Sequence, residues 1–230
     1  MALEDLSFRN RTEAGRQLAT HLTSFRSRNP VVLALPRGGV PVGFEVAKAL
    51  RASLDLVLVR KIGAPGHPEL GLGAVVEGAH LQRVINNDLI AELRVPASYL
   101  EAEAERQLRE IERRRRSYLG GRYPIEVEGR TVIVVDDGIA TGGTVRAALK
   151  ALSRSRPADL VLAVPVAPPD TIEQLRAEAD DVVCLLTPEP FYSVSWYYDD
   201  FTQTSDAEVI TLLHEAQTWS REAPRGSSMP

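Results

Sequence analysis

Residues 131–144 read T-V-I-V-V-D-D-G-I-A-T-G-G-T, and their types and spacing could do chemistry. Two adjacent carboxylates, Asp136 and Asp137, end an apolar run, and a small hydroxyl-bearing turn follows through Ala140, Thr141, Gly142, Gly143 and Thr144. Glycines let a backbone approach a ligand closely, and a helix N-terminus offers unpaired N–H groups with partial positive charge, so the turn suits a phosphate. Thr141 and Thr144 add hydroxyl donors. Carboxylates beside a phosphate would repel it unless the ligand also carries a cis-diol or a divalent cation. An ionised carboxylate accepts hydrogen bonds from hydroxyls and attracts metal-bound water. The implied ligand is a sugar phosphate accompanied by Mg²⁺, with Asp136 and Asp137 reaching the metal through water.

Two common phosphate loops do not fit. Gly138 and Gly143 have the glycine spacing of G-x-x-x-x-G-K-[ST], but Thr144 and Val145 stand where the lysine and hydroxyl residue belong. No G-x-G-x-x-G follows a strand. The stretch instead resembles the signature of the type I phosphoribosyltransferases, in which apolar residues precede two acids and a hydroxyl-rich turn. The resemblance implies that Asp136 and Asp137 hold the ribose hydroxyls of phosphoribosyl pyrophosphate, and that residues 140–144 bind its 5′-phosphate. Enzymes of this family acting on 6-oxopurines usually carry a carboxylate three residues past the second acid, where this chain has Ala140. The acceptor base therefore stays open, with Glu69 or His67 as alternative proton-handling groups.

These residues need elements to position them. Four β-branched residues in succession, at 132–135, suit a parallel strand buried on both faces, and 145–152 reads as the helix that follows the turn. Val31, Val32, Leu33, Ala34 and Leu35 form another buried strand, and Arg37, Gly38 and Gly39 lead from it into a helix over 42–50. Ligands of parallel α/β sheets sit at the carboxyl ends of the strands, so this loop belongs on the same edge as the acids. Arginine followed by two glycines supplies a phosphate fork and unhindered N–H groups, and the family binds pyrophosphate with a loop at this place. A further apolar strand, 55–59, ends in Arg60 and Lys61, read either as anion contacts or as a strand's exit into water. The glycine- and proline-rich segment 62–73 reads as an irregular lid, matching the family's mobile catalytic loop. A hairpin over 73–77 and 81–85 follows, with 78–80 as its turn.

The longest helix spans 98–119, with Glu105/Arg109, Glu110/Arg114 and Glu112/Arg116 as solvated ion pairs. Strands over 159–164 and 181–186 flank a helix capped by Asp170. Residues 188–204 gather aromatics. The resemblance makes this a C-terminal hood whose Trp196 and Tyr197 stack on a base, and ordinary packing of a subdomain is the other reading. Ser205 to Glu208 is a capping box for a last helix, and 221–230 reads as a disordered tail.

Alternating strands and helices indicate an α/β fold, a parallel sheet flanked by helices, elaborated by the loop and hairpin insertion and the small hood. Residues 1–220 read as a single domain with its core at about 31–187. The 230 residues carry a formal net charge of −4, against general nucleic-acid binding, and no apolar run is long enough to span a bilayer. The chain reads as cytoplasmic, with Cys184 a buried thiol. Its oligomeric state, a homo-oligomer included, stays open.

The inferred reaction is displacement of pyrophosphate from phosphoribosyl pyrophosphate by the nitrogen of a nucleobase-like acceptor. Asp136, Asp137, Lys61 and Glu69 are the catalytic candidates, with Arg37, Gly38, Gly39, Arg60 and the turn as binding groups. A non-catalytic protein of the same fold that binds this donor or a nucleotide and regulates a partner is the alternative.

Overall fold

The computed structural model describes residues 7–77 and 81–222. In chain order its first elements are α1 (Arg11–His21), β1 (Val31–Ala34), α2 (Gly39–Leu50), β2 (Ser53–Leu56), β3 (Leu58–Ala64), β4 (His67–Glu77) and β5 (Leu81–Ile85). There follow α3 (Asn87–Glu92), α4 (Ala97–Leu119), β6 (Thr131–Val135), α5 (Gly143–Ser153), β7 (Asp159–Val166), α6 (Pro169–Leu175), β8 (Asp181–Leu186) and α7 (Asp206–Glu222). The expected hairpin turn at 78–80 lies outside the described residues, as does the expected tail beyond its first two residues.

Five strands form a parallel sheet in the order β2-β1-β6-β7-β8. Every residue of β1 and β6 is buried, because helices cover both faces. Val32, Ala34, Ile133 and Val135 pack with residues of α1, α2 and α7, while Val31, Leu33, Val132 and Val134 pack with residues of α5 and α6. In register, Ala34 lies opposite Val135. The chain therefore leaves β1 and β6 at the same level, and the two following loops emerge side by side. Successive strands diverge from this pair, β2 to one side and β7 and β8 to the other, so the loops flank the switch point where such sheets open a ligand crevice.

The apolar run 55–59 is not one strand. β2 ends at Leu56, Val57 donates its N–H to Ala34, and the chain then leaves for a second, antiparallel sheet of β3, β4 and β5. Arg60 and Lys61 thus lie within an antiparallel strand and not at the end of a parallel one. The segment expected as an irregular lid is likewise paired: β3 runs to Ala64 and β4 starts at His67, with shifts of register on either side of Gly63. Gly63 passes so close to Pro68 that a Cβ would stand 2.5 Å from its carbonyl oxygen, so the glycine that suggested a loop is what lets these strands meet. This ribbon contacts α4 and α5. Asp170 is no cap either, since α6 starts with Pro168 as its N-cap and Pro169 in the first turn.

One buried carboxylate fastens the link back to β6. Asp55, 1% exposed, accepts from the N–H groups of Leu56 at 2.9 Å and Ile125 at 3.0 Å and from Arg122 at 3.1 Å. Asp55→Ala would strand these donors and is expected to cost about 2–4 kcal/mol in urea unfolding.

Candidate active site

The two loops at the switch point touch. A Cβ on Gly38 would lie 2.0 Å from Oδ2 of Asp137, and one on Gly39 would lie 2.7 Å from the carbonyl oxygen of Val135. Glycine at 38 is therefore a condition of the acid pair's placement, and the loop and the carboxylates form one floor. The Pro36–Arg37 peptide is cis. Gly38→Ala must displace either the loop or Asp137, and a donor that uses both is expected to bind about tenfold more weakly. Titration calorimetry with phosphoribosyl pyrophosphate and Mg²⁺ measures the change.

Both acids are partly buried, the Asp137 side chain being 15% exposed. Oδ1 of Asp136 accepts the N–H of Asp137 at 2.9 Å. Burial, followed by the neighbouring Asp137 carboxylate, holds Asp136 well above the usual carboxylate range. Burial also raises Asp137, and the guanidinium of Arg11 works against that rise. Arg11 donates from Nε to Oδ2 of Asp137 at 2.7 Å, and the hydroxyl of Tyr198 donates to the carbonyl of the same residue. Burial pushes that phenol far above its ordinary value.

The turn after the acids is tied at Ile139, whose N–H donates to Val166, and at Ala140, whose carbonyl accepts from Thr171. Gly142, at φ 73°, is left-handed, a conformation that favours glycine, and it opens α5 without a side-chain cap. The first N–H groups of α5 thus have no intrahelical acceptor, and Thr141 and Gly143 are exposed beside them.

Two cavities meet at Thr144 and Val59. One, of about 250 Å³, is lined by Pro36, Arg60, Arg114, Asp136 and Thr144 among others. The second, of about 650 Å³, lies between the hairpin and α5 and is lined by Lys61, Arg146 and Lys150 as well as Thr144. Neighbouring positions on β3 send Arg60 and Lys61 to different cavities. Arg60 bonds Gln107 of α4 at 2.9 Å, and burial followed by Arg114 lowers its pKa. Arg37 turns toward Asp206 at 3.5 Å, a solvent-exposed pair that an anion can readily displace.

His67 and Glu69 are exposed at the hairpin's far end and line neither cavity. In the hood, Trp196 is 65% exposed with Tyr192 at 5.2 Å, whereas Tyr197 is 5% exposed and stacked on Phe191. Tyr197 is therefore a core residue, and of the two expected stacking residues Trp196 presents its ring. Cys184 donates to the Leu186 carbonyl, and burial raises its thiol to about 11.

Among the described residues no three metal-ligating side chains converge. Two adjacent carboxylates nevertheless suit Mg²⁺, which keeps several waters and takes oxygen ligands from a substrate's phosphates.

A sequence model of the phosphoribosyl transferase domain matches residues 10–200. The chain belongs to the phosphoribosyltransferase family. A protein of Mycobacterium tuberculosis, named provisionally as a phosphoribosyl transferase, is 46% identical over 217 residues, 94% of this chain and 48% of its own length. This phosphoribosyltransferase-family chain thus spans about half the length of that curated relative. The bifunctional protein PyrR of Brevibacillus brevis is 30% identical over 57% of this chain and 68% of its own. The crystal structure of TT1426 from Thermus thermophilus superposes with a TM-score of 0.79 at 45% identity, covering 91% of this chain and 98% of that one. Among the described residues of this family member no helix is long and apolar enough to cross a membrane.

Two site residues lack a signal in the sequence. Arg114 reads there as part of a solvated helix face; it does pair with Glu110 at 2.8 Å, yet it also lines the cavity with Asp136. Arg11 carries no local signal, because its partner lies 126 residues away.

Proposed function

We propose that this chain transfers the 5-phosphoribosyl group from phosphoribosyl pyrophosphate to the nitrogen of a nucleobase-like acceptor and releases pyrophosphate. The observation that carries the reading is the contact of Gly38 with Asp137, which joins a pyrophosphate loop and a diol-binding acid pair in one floor. Asp136 and Asp137 accept from the ribose hydroxyls, and the N–H groups of 140–144 with the threonine hydroxyls hold the 5′-phosphate. Negative charge develops on the departing pyrophosphate, and Arg37, Arg60 and the N–H groups of 38–39 stabilise it. Lys61 faces the second cavity, beside Thr144 and Arg146. Asp136 and Asp137 would hold Mg²⁺ through water beside the donor's phosphates, where the ion would offset part of that charge. Trp196 offers the acceptor a ring face.

The alternative, a binding protein that regulates without turnover, draws support from the position of His67 and Glu69, which line neither cavity and leave the acceptor's proton without an assigned base. Pyrophosphate release with Mg²⁺ across a panel of purine and pyrimidine bases decides between the readings. Release with one class of base is the expected result. Saturable donor binding without release for any base would establish the regulator instead.

A further inference from the structure

We propose that Arg11 is a positioning residue that fixes the Asp137 carboxylate and locks the hood to it. The proposal rests on the phosphoribosyl-transfer reading for its functional consequence, and on geometry for the linkage itself. Arg11 opens α1, whose N-cap Asn10 accepts from the N–H of Glu13 at 3.0 Å, so its backbone is held. The side chain is 10% exposed and makes three contacts. Nε donates to Oδ2 of Asp137 at 2.7 Å, Nη1 donates to the carbonyl of Thr202 at 2.8 Å, and the guanidinium carbon lies 3.9 Å from the centre of the Phe201 ring.

The hood reaches Asp137 by a second route as well. Phe8 donates to the carbonyl of Tyr197, Asp199 donates back to Phe8, and the Tyr198 hydroxyl caps the Asp137 carbonyl. Arg11 and Tyr198 thus hold one aspartate by its carboxylate and its backbone, and both are tied to the same short hood segment. Oδ2 accepts from Arg11 and lies against Gly38, so the two together set the orientation of the carboxylate. An acceptor seated against the hood and a donor seated on Asp137 therefore share one rigid support. A lysine would bring the charge but not the planar fork that meets carboxylate, carbonyl and ring together.

The test compares wild type with Arg11→Lys and Arg11→Met in three measurements: donor binding with Mg²⁺ by calorimetry, the KM for donor and for the active base, and hydrogen exchange at 199–202. Phe201→Leu, which removes the ring while sparing Asp137, serves if the methionine variant folds poorly. Arg11→Lys should keep its thermal transition within a few degrees, raise the donor Kd about tenfold, raise the acceptor KM as well, and lose exchange protection at 199–202. Wild-type affinity and protection in Arg11→Lys and Arg11→Met would overturn the proposal. So would a donor effect with an unchanged hood. If wild type binds no donor, the functional reading fails, and hydrogen exchange still decides the linkage: unchanged protection in Arg11→Met refutes it.

Discussion

Asp137→Asn is expected to fold and to lose about 10²- to 10³-fold in kcat/KM for phosphoribosyl transfer, the scale of removing one preorganised electrostatic group. The isostere fails because of its orientation. Arg11 donates to the Oδ2 position, so the asparagine must turn its carbonyl oxygen there and its NH₂ to the Oδ1 position. A ribose hydroxyl that donated to a carboxylate oxygen would then face another donor. Stability should change little, since two effects offset: the Arg11 guanidinium loses a charged partner, and Asp136 loses a like charge beside it. Calorimetric donor titration, pyrophosphate release and a thermal melt measure the three quantities. Unchanged kinetics would remove Asp137 from any role with the ribose.

Most of the parallel sheet was legible because its strands, β2 apart, are written in a local code. β6 and β8 are short continuous apolar runs bounded by turn residues, and their length and β-branched content mark them as buried strands. The acid pair and the hydroxyl-bearing turn were legible for the same reason, since all their residues are contiguous. The break at Val57 was not. Leu56, Val57 and Leu58 are equally apolar, and only the backbone bond to Ala34 decides where the chain changes sheets. The β3–β4 ribbon was hidden by its own composition, because glycine and proline disfavour strands in isolation and tertiary pairing overrides them. α3 spans six residues, too short to display a helical period.

The same distinction explains the site. Arg37 to Gly39 could be placed beside Asp136 and Asp137 because the carboxyl ends of neighbouring parallel strands share an edge. Arg11, Tyr198 and Arg114 come from elsewhere in the chain, and each arrives by a fold-level contact. Tyr197 shows the limit of composition: adjacent aromatics group together in the sequence, yet the 3-10 turn of Val194–Tyr197 buries one and exposes its neighbour Trp196. Sequence contiguity reveals the candidate binding groups; the groups that orient them must be found in space.

Asp136→Asn should have an equally large functional effect with a gain in stability. Its carboxyl is raised first by burial and second by the adjacent Asp137, with the Asp137 N–H and Arg11 only partly opposing. A carboxyl whose folded pKa lies above its unfolded value binds more protons folded than unfolded across the interval between the two. Stability is therefore greatest below the unfolded value and falls as pH rises through the folded one. Asparagine is neutral throughout and its carbonyl can still accept the Asp137 N–H, so the variant avoids that loss. At neutral pH it should be more stable than wild type, because the charged form of the buried wild-type carboxyl is what burial and Asp137 disfavour. The gap should close as pH falls toward the ordinary carboxylate range, near 4. Donor binding should fall about 10²- to 10³-fold, since the ribose loses an anionic acceptor. Denaturant titrations of both proteins from pH 8 down to pH 5, beside calorimetry with donor and Mg²⁺, test the pairing of these effects. A variant less stable than wild type at neutral pH would mean that Asp136 is held by partners stronger than the Asp137 N–H, and that its charge costs the fold nothing.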